Sequence, residues 1–203
     1  HPRVRRQRQM CIRDRVYPDW IKGIACALGS AGLAFLYSGD MIAFIVTIIC
    51  SLIGYFGRTL SVRFGCNEYV GIALGGFAAM VSAYGFYSHI EQASLVYVLV
   101  CCTLFMIPGV PLINAVIDTI NNHILSGITR AIRTILIVGS MTLGMAMALY
   151  FSPMPAFSFV DIKPHVLSIE QIIGAFTAAA SFAVLFNAPV RLLVSIGIGG
   201  VLC

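Results

Sequence analysis

The sequence contains few charged residues. Only 10% of its 203 residues are charged and 59% are hydrophobic, whereas soluble domains carry roughly 25% charged residues. The stretches 41–57, 92–117 and 134–160 contain no charged residue at all. Each is of the order of the ~20 residues that a helix needs to cross the hydrocarbon core of a bilayer. A single stretch could be a buried core helix, but a succession of them predicts an all-α, polytopic transmembrane helix bundle.

Several motifs that would carry chemistry are also absent. The sequence has no HExxH, no GxSxG and no paired carboxylates on one predicted helix, which argues against an intramembrane enzyme and leaves no catalytic residue to assign. It has no Walker lysine motif, which disfavours an ATP-driven pump within this chain. Neither CxxC nor a Cys/His spacing occurs, so no metal site and no cofactor are predicted. Nothing indicates a nucleic-acid partner.

The formal net charge of +5 comes from the first residues alone. Residues 1–15 hold six arginines against one aspartate, and the rest of the chain is balanced. The stretch QMCIRDR resembles the translated end of a sequencing-library adapter, so 1–15 is interpreted as an adapter scar and left out of the fold prediction. A basic arm on anionic lipid is the alternative. Because the sequence also stops inside an apolar run, both natural ends are expected to be missing.

The apolar stretches and the turn residues between them predict about seven spans. These are about 17–37, 40–57, 68–87, 92–107 with a continuation to 123, 134–151, 166–187 and 189–203. The Pro-rich stretch 152–165 is predicted to be an outward linker between a first membrane domain of five spans, 16–151, and the start of a second, 166–203. Gly71 and Gly75 form a GxxxG, which predicts a close helix–helix contact.

The basic residues predict the orientation of these spans. Five fall in predicted loops on the N-terminal side of the first span, and only Lys163 falls on the opposite side. The positive-inside rule therefore places the N-terminal side in the cytoplasm. The five are Arg58, Arg63, Arg130, Arg133 and Arg191.

The stretch 92–123 is too long for one ordinary span. A continuous helix would be roughly 48 Å long against a core of about 30 Å, and the sequence Pro108-Gly109-Val110-Pro111 offers a break. Proline removes backbone donors and glycine permits a change of direction. We therefore predict that Pro108, Gly109 and Pro111 hold a non-helical turn, of the kind transporters use at their substrate sites.

A polar stripe follows this predicted break. On a helix, Asn114, Asp118 and Asn121 fall within one narrow arc, and a carboxylate in lipid should face the bundle interior or water. The stripe predicts a substrate or proton site. An amphipathic helix on the cytosolic interface, with Asp118 solvated, is the alternative. His123 and Glu170 are weaker candidates, since a solvated helix-end histidine and an interfacial glutamate explain them better than a proton or substrate site does.

The run IPGVPLINAVIDTINNHILSGITRA resembles the signature of the bacterial threonine/serine exporter family, in which a P-G-x-P and an Asp-bearing helix close the first membrane domain. The stretches SGDMIAFIVTIICSLIGYFGR and IGAFTAAASFAVLFNAPVR resemble earlier spans of that domain and the start of the second. The resemblance implies secondary, proton-motive-force-driven export of threonine- or serine-like metabolites across the bacterial inner membrane. Split two-subunit relatives imply a succinate-like dicarboxylate as the alternative substrate.

The residues themselves favour a zwitterionic substrate. Asp118 can bind an ammonium group, whereas a dicarboxylate would require that Asp118 be protonated or balanced by Arg130 or Arg133. A passive channel or scaffold would share the broken helix and is also kept open. The expected partners are the lipid bilayer, a small-molecule substrate, and either a second membrane subunit or further copies of the chain.

Overall fold

The computed structural model describes residues 17–38, 40–89, 95–152 and 169–202, and all regular structure within these ranges is helical. This confirms the prediction of an all-α fold. A 3-10 turn, Leu104–Met106, lies between the fourth and fifth α-helices. The α-helices are α1 (Asp19–Ser38), α2 (Met41–Arg63), α3 (Glu68–His89), α4 (Leu95–Cys101), α5 (Gly109–Ile120), α6 (Ile124–Phe151), α7 (Ile169–Leu185) and α8 (Val190–Leu202).

The turn between α2 and α3 is built by the residues at its two ends. Gly65 has a φ of +86°, the left-handed conformation in which glycine commonly ends a helix. The Asn67 side chain then accepts a hydrogen bond from the Tyr69 backbone N–H at 3.3 Å, which begins α3. This short turn keeps the end of α2 beside the start of α3.

The number of spans is smaller than predicted. Within the described residues, four helices (α1, α2, α3 and α6) are long and apolar enough to cross a membrane, and α4 with α5 makes a fifth if the bent pair is one span. α7 and α8 have 17 and 13 residues, separated by a turn in which Asn187 has a φ of +58°. About seven spans was too many, because apolarity alone does not distinguish short packed helices from full spans.

The helix ends also differ from the prediction. α6 begins at Ile124, not near 134, and α2 continues to Arg63. All five arginines that were predicted to lie in loops therefore lie within helices: Arg58 and Arg63 in α2, Arg130 and Arg133 in α6, and Arg191 in α8. Arginine is a good helix former, and its long side chain can carry the charge beyond the apolar part of a helix.

Helices meet where their residues are small. A Cβ added to Gly54 of α2 would lie 3.0 Å from the Gly75 carbonyl oxygen of α3, and one added to Gly71 would lie 2.9 Å from Val62. The predicted GxxxG face is thus a real contact. A Cβ on Gly32 of α1 would similarly lie 2.9 Å from the Gly174 oxygen of α7. Such close backbone approach is how helices associate in lipid.

The predicted domain division falls partly outside the described residues. Residues 1–16 and 153–168, which contain the adapter scar and nearly all of the linker, are not described. α7, which follows the gap 153–168, packs against α1, which precedes it. Residues 17–152 and 169–202 are therefore in direct contact.

Candidate substrate cavity

The fourth and fifth helices form the broken helix that the sequence predicted. The segment Tyr97–Met106 and the helix Gly109–Ile120 are bent by 52° relative to each other. Ile107 is extended, with φ −63° and ψ 122°, and Pro108 caps α5 with ψ 61°. The prediction of two helices joined by a break is confirmed.

The break starts earlier than expected and ends at Pro108. The regular α-helical backbone hydrogen bonding already ends before Cys102 and Thr103, which form a turn. Gly109 and Pro111, in contrast, lie in the first turn of α5. Proline is tolerated there because first-turn N–H groups have no partner within the helix. A Cβ added to Gly109 would meet nothing within 4 Å. The unusual backbone conformation that we expected at Gly109 is therefore not found.

A cavity of about 520 Å³ lies beside the break, within the usual size range of small-molecule sites. Of the predicted residues, Pro108, Pro111 and Asn114 line it. Its walls come from five α-helices (α2, α3, α5, α6 and α7), from the 3-10 turn with the break that follows it, and from the turn after α7. The remaining lining residues are Tyr55, Arg58, Glu68, Ile72, Phe105, Met106, Ile107, Arg130, Arg133, Ile137, Leu185 and Phe186.

An ion-pair network crosses this lining. Glu68 Oε2 lies 3.1 Å from Arg133 Nη2, and Glu68 Oε1 lies 3.6 Å from Arg58 Nη2. One carboxylate therefore joins α2, α3 and α6. The three side chains keep 34–60% of their surface exposed, so water reaches the pairs and each is individually weak.

Asp118 belongs to a second pair beside this network. Its Oδ2 lies 3.2 Å from Arg130 Nη1 and accepts a hydrogen bond from the Ser126 hydroxyl at 2.8 Å. The side chain is 21% exposed and does not line the cavity. Asp118 thus links α5 to α6 through this pair, and its partner Arg130 lines the cavity.

The structure does not bring the whole polar stripe to one place. Asn114 lines the cavity, but Asn121 is exposed at the C-terminal end of α5. His123 is also exposed, at the N-terminal end of α6. Glu170 is the second residue of α7, and its side chain falls outside the described part of the chain.

The charged lining was the part that sequence reasoning missed. The sequence predicts the arginines as markers of membrane orientation, and Arg130 and Arg133 also as possible counter-charges to Asp118, but it does not place them with Glu68 in one cavity. Arg130 and Arg133 are three apart in the sequence, which on a helix places them on one face. That spacing was the available signal. It became useful only once α6 was known to include both residues.

The described residues include no group of three or more His, Cys, Asp or Glu side chains that could hold a metal ion. Four of their cysteines (Cys26, Cys50, Cys101 and Cys102) are buried, and Cys66 is exposed.

An all-α bundle with several apolar helices, one of them broken beside a charged cavity, is the kind of architecture that membrane transport proteins have. The family model described as "Putative threonine/serine exporter" matches residues 10–152, and the chain belongs to this family. The family's description indicates a membrane exporter. The match begins within the segment interpreted as an adapter scar, and α7 and α8 lie beyond it.

Two curated relatives carry the name "Probable succinate transporter subunit YjjP". The one from Klebsiella aerogenes is 26% identical over 146 residues, which is 68% of this chain and 54% of the relative. The one from Escherichia coli (strain K12) is 26% identical over 140 residues, with the same coverage. The chain thus spans about half the length of the curated relatives it matches. No solved structure matches the chain significantly.

Proposed function

We propose that this chain forms the cytosolic loading side of a secondary exporter for small carboxylates in the bacterial inner membrane. The observation that carries the proposal is the lining of the cavity: three arginines face one glutamate. Guanidinium groups bind carboxylates in a bidentate manner. A carboxylate-bearing metabolite therefore fits this lining better than a neutral or cationic one.

Within that class we favour a dicarboxylate. The zwitterion favoured by the sequence depended on a free Asp118, which is instead paired with Arg130 at 3.2 Å. Two relatives named as succinate transporter subunits support the same choice. A threonine-like substrate is the second candidate, because Glu68 could accept its ammonium group while an arginine binds its carboxylate.

The orientation proposal rests on the arginines as well. The cavity lies at the end of the bundle that carries Arg58, Arg130 and Arg133. If that end is cytosolic, as the positive-inside rule predicts, the cavity can load substrate from the cell interior. Export would then be driven by the proton motive force. We also propose that a second membrane subunit completes the transporter, with assembly of further copies as the alternative.

The test uses the full-length protein, with its second subunit, in proteoliposomes. We expect uphill efflux of labelled succinate that stops when a protonophore collapses the gradient. Flux that persists unchanged would instead identify a channel. Arg133→Gln should lower succinate transport at least roughly tenfold, since a lost charge-assisted bidentate contact is worth about 1.5–3 kcal/mol.

The matched control is Arg63→Gln, which removes the same charge from the exposed end of α2 without touching the cavity. It should transport as the wild-type protein does. If wild-type vesicles move threonine and serine but not succinate, the dicarboxylate proposal is wrong. Equal losses in the two arginine variants would count against the cavity as the site.

A further inference from the structure

The Glu68 side chain is not needed to cap the helix that it opens. It opens α3, where an acidic residue is favourable, but the cap itself is already provided by the Asn67 side chain and by the bond from the Gly71 N–H to the Asn67 carbonyl oxygen. Its carboxylate instead reaches across to α2 and α6. Each of its two oxygens meets a different arginine that lines the cavity.

A carboxylate in this position resembles the proposed substrate. It presents an anion to Arg58 and Arg133, the two groups that a substrate carboxylate would need. Because the pairs are 34–60% exposed, they are weak enough for a dissolved carboxylate to replace them. Glu68 and the substrate therefore compete for the same arginines.

We propose that Glu68 is a built-in counter-ion that takes the place of the substrate on Arg58 and Arg133 whenever the cavity is empty. The inference rests on the proposed function, since it requires an anionic substrate in this cavity. An alternating-access carrier must close the cavity and exclude water after releasing its substrate. Closing over unpaired arginines is costly, because a desolvated charge needs a partner. Glu68 supplies that partner and lets the empty carrier return.

The proposal separates two kinds of transport. Net efflux requires the empty carrier to return, whereas exchange of labelled for unlabelled succinate requires only the loaded carrier to move. Glu68→Gln should therefore lower the ratio of net efflux to exchange by roughly tenfold or more. It should also lower the KM of exchange by about two- to tenfold, because a competitor of modest strength has been removed.

The measurement uses the full-length protein with its second subunit in proteoliposomes, with labelled succinate as the probe. Asp40→Asn is the matched control: it neutralises the acid at the N-cap of α2, at the other end of that helix from the cavity-lining residues Tyr55 and Arg58. It should keep the wild-type ratio. A general folding defect would lower net efflux and exchange together, so only the ratio reports on the counter-ion.

A cysteine at position 68 allows the negative charge to be restored chemically, so that loss of the charge can be told apart from misfolding of Glu68→Gln. In a protein whose other accessible cysteines are serine, Glu68→Cys can be capped with a sulfonatoethyl group, which is negative, or with a methylthio group, which is neutral. Net efflux should return with the negative cap only. Recovery with both caps, or a wild-type ratio in Glu68→Gln, would overturn the counter-ion role.

The two proposals fail differently. If wild-type vesicles neither exchange nor export succinate, the substrate proposal fails and the counter-ion role falls with it. If wild-type vesicles and Arg133→Gln behave as expected but Glu68→Gln keeps the wild-type ratio, only the counter-ion role is wrong.

Discussion

Gly144 is the position where the packing of α6 against α3 can be tested most directly. A Cβ added there would collide with the Ala73 carbonyl oxygen, and would lie 2.8 Å from its carbonyl carbon and 3.0 Å from its Cα. All three atoms are backbone, so no side-chain rotation can relieve the contact. Gly144→Ala must therefore push α3 and α6 apart.

Gly139 provides the comparison on the same helix. A Cβ added there meets nothing within 4 Å. Both Gly→Ala changes gain the same helix propensity, about 1 kcal/mol, so the difference between the two variants isolates the steric cost. Overpacking of this kind costs about 1–3 kcal/mol. For a chain of this length that corresponds to a difference in Tm of roughly 2–12 °C.

The assay is thermal unfolding of the two purified variants in the same mild detergent. We expect Gly144→Ala to melt below Gly139→Ala, and Ala73→Gly not to rescue it, because the clash is with backbone atoms. Equal melting temperatures would refute the close packing of α3 and α6. A full rescue by Ala73→Gly would show that the Ala73 methyl group, not the backbone, sets the contact.

Four further outcomes test the topology, the break, the polar stripe and the linker. Cys66 lies exposed in the turn after α2, so an impermeant thiol reagent should label it in inside-out vesicles but not from outside intact cells; labelling from outside would reverse the orientation. Gly109→Ala should leave efflux and abundance unchanged, since open space surrounds its Cα, and a loss of efflux would restore a conformational role to this glycine. Asp118→Asn should remove coupled efflux at unchanged membrane abundance, because the charge that holds Arg130 is lost; wild-type export of threonine, serine and succinate would show that this pair is not needed for coupling. A chain cut within 152–165 should still give two halves that copurify through α1 and α7, and inserted halves that never copurify would contradict that contact.

The fold class and the break could be predicted from the sequence because each rests on a local property. Charge-free stretches must be helical in lipid, where every backbone group needs an internal partner. The proline pair and the excess length of 92–123 predicted an interruption, and the 52° bend confirms it. The role expected of Gly109 was not found, since the break ends at Pro108, the N-cap of α5, and a Cβ added to Gly109 would meet nothing within 4 Å.

The site was predicted only in part. Pro108, Pro111 and Asn114 line the cavity because they follow the break directly along the chain. Asp118 was predicted to be part of the site as the carboxylate of the polar stripe after the break, but its side chain turns toward Arg130 on α6. Periodicity places a residue on a helix face and does not say which neighbour that face meets.

What the sequence by itself determined was therefore the helical bundle, the position of its break, and the excess of basic residues at one end. Only the tertiary structure decided that Arg58, Glu68 and Arg133, from three different helices, share one cavity. Their proximity depends on the glycine contacts that hold α2 against α3 and α3 against α6. Such contacts join residues far apart in the chain, and no local pattern encodes which glycine will meet which backbone.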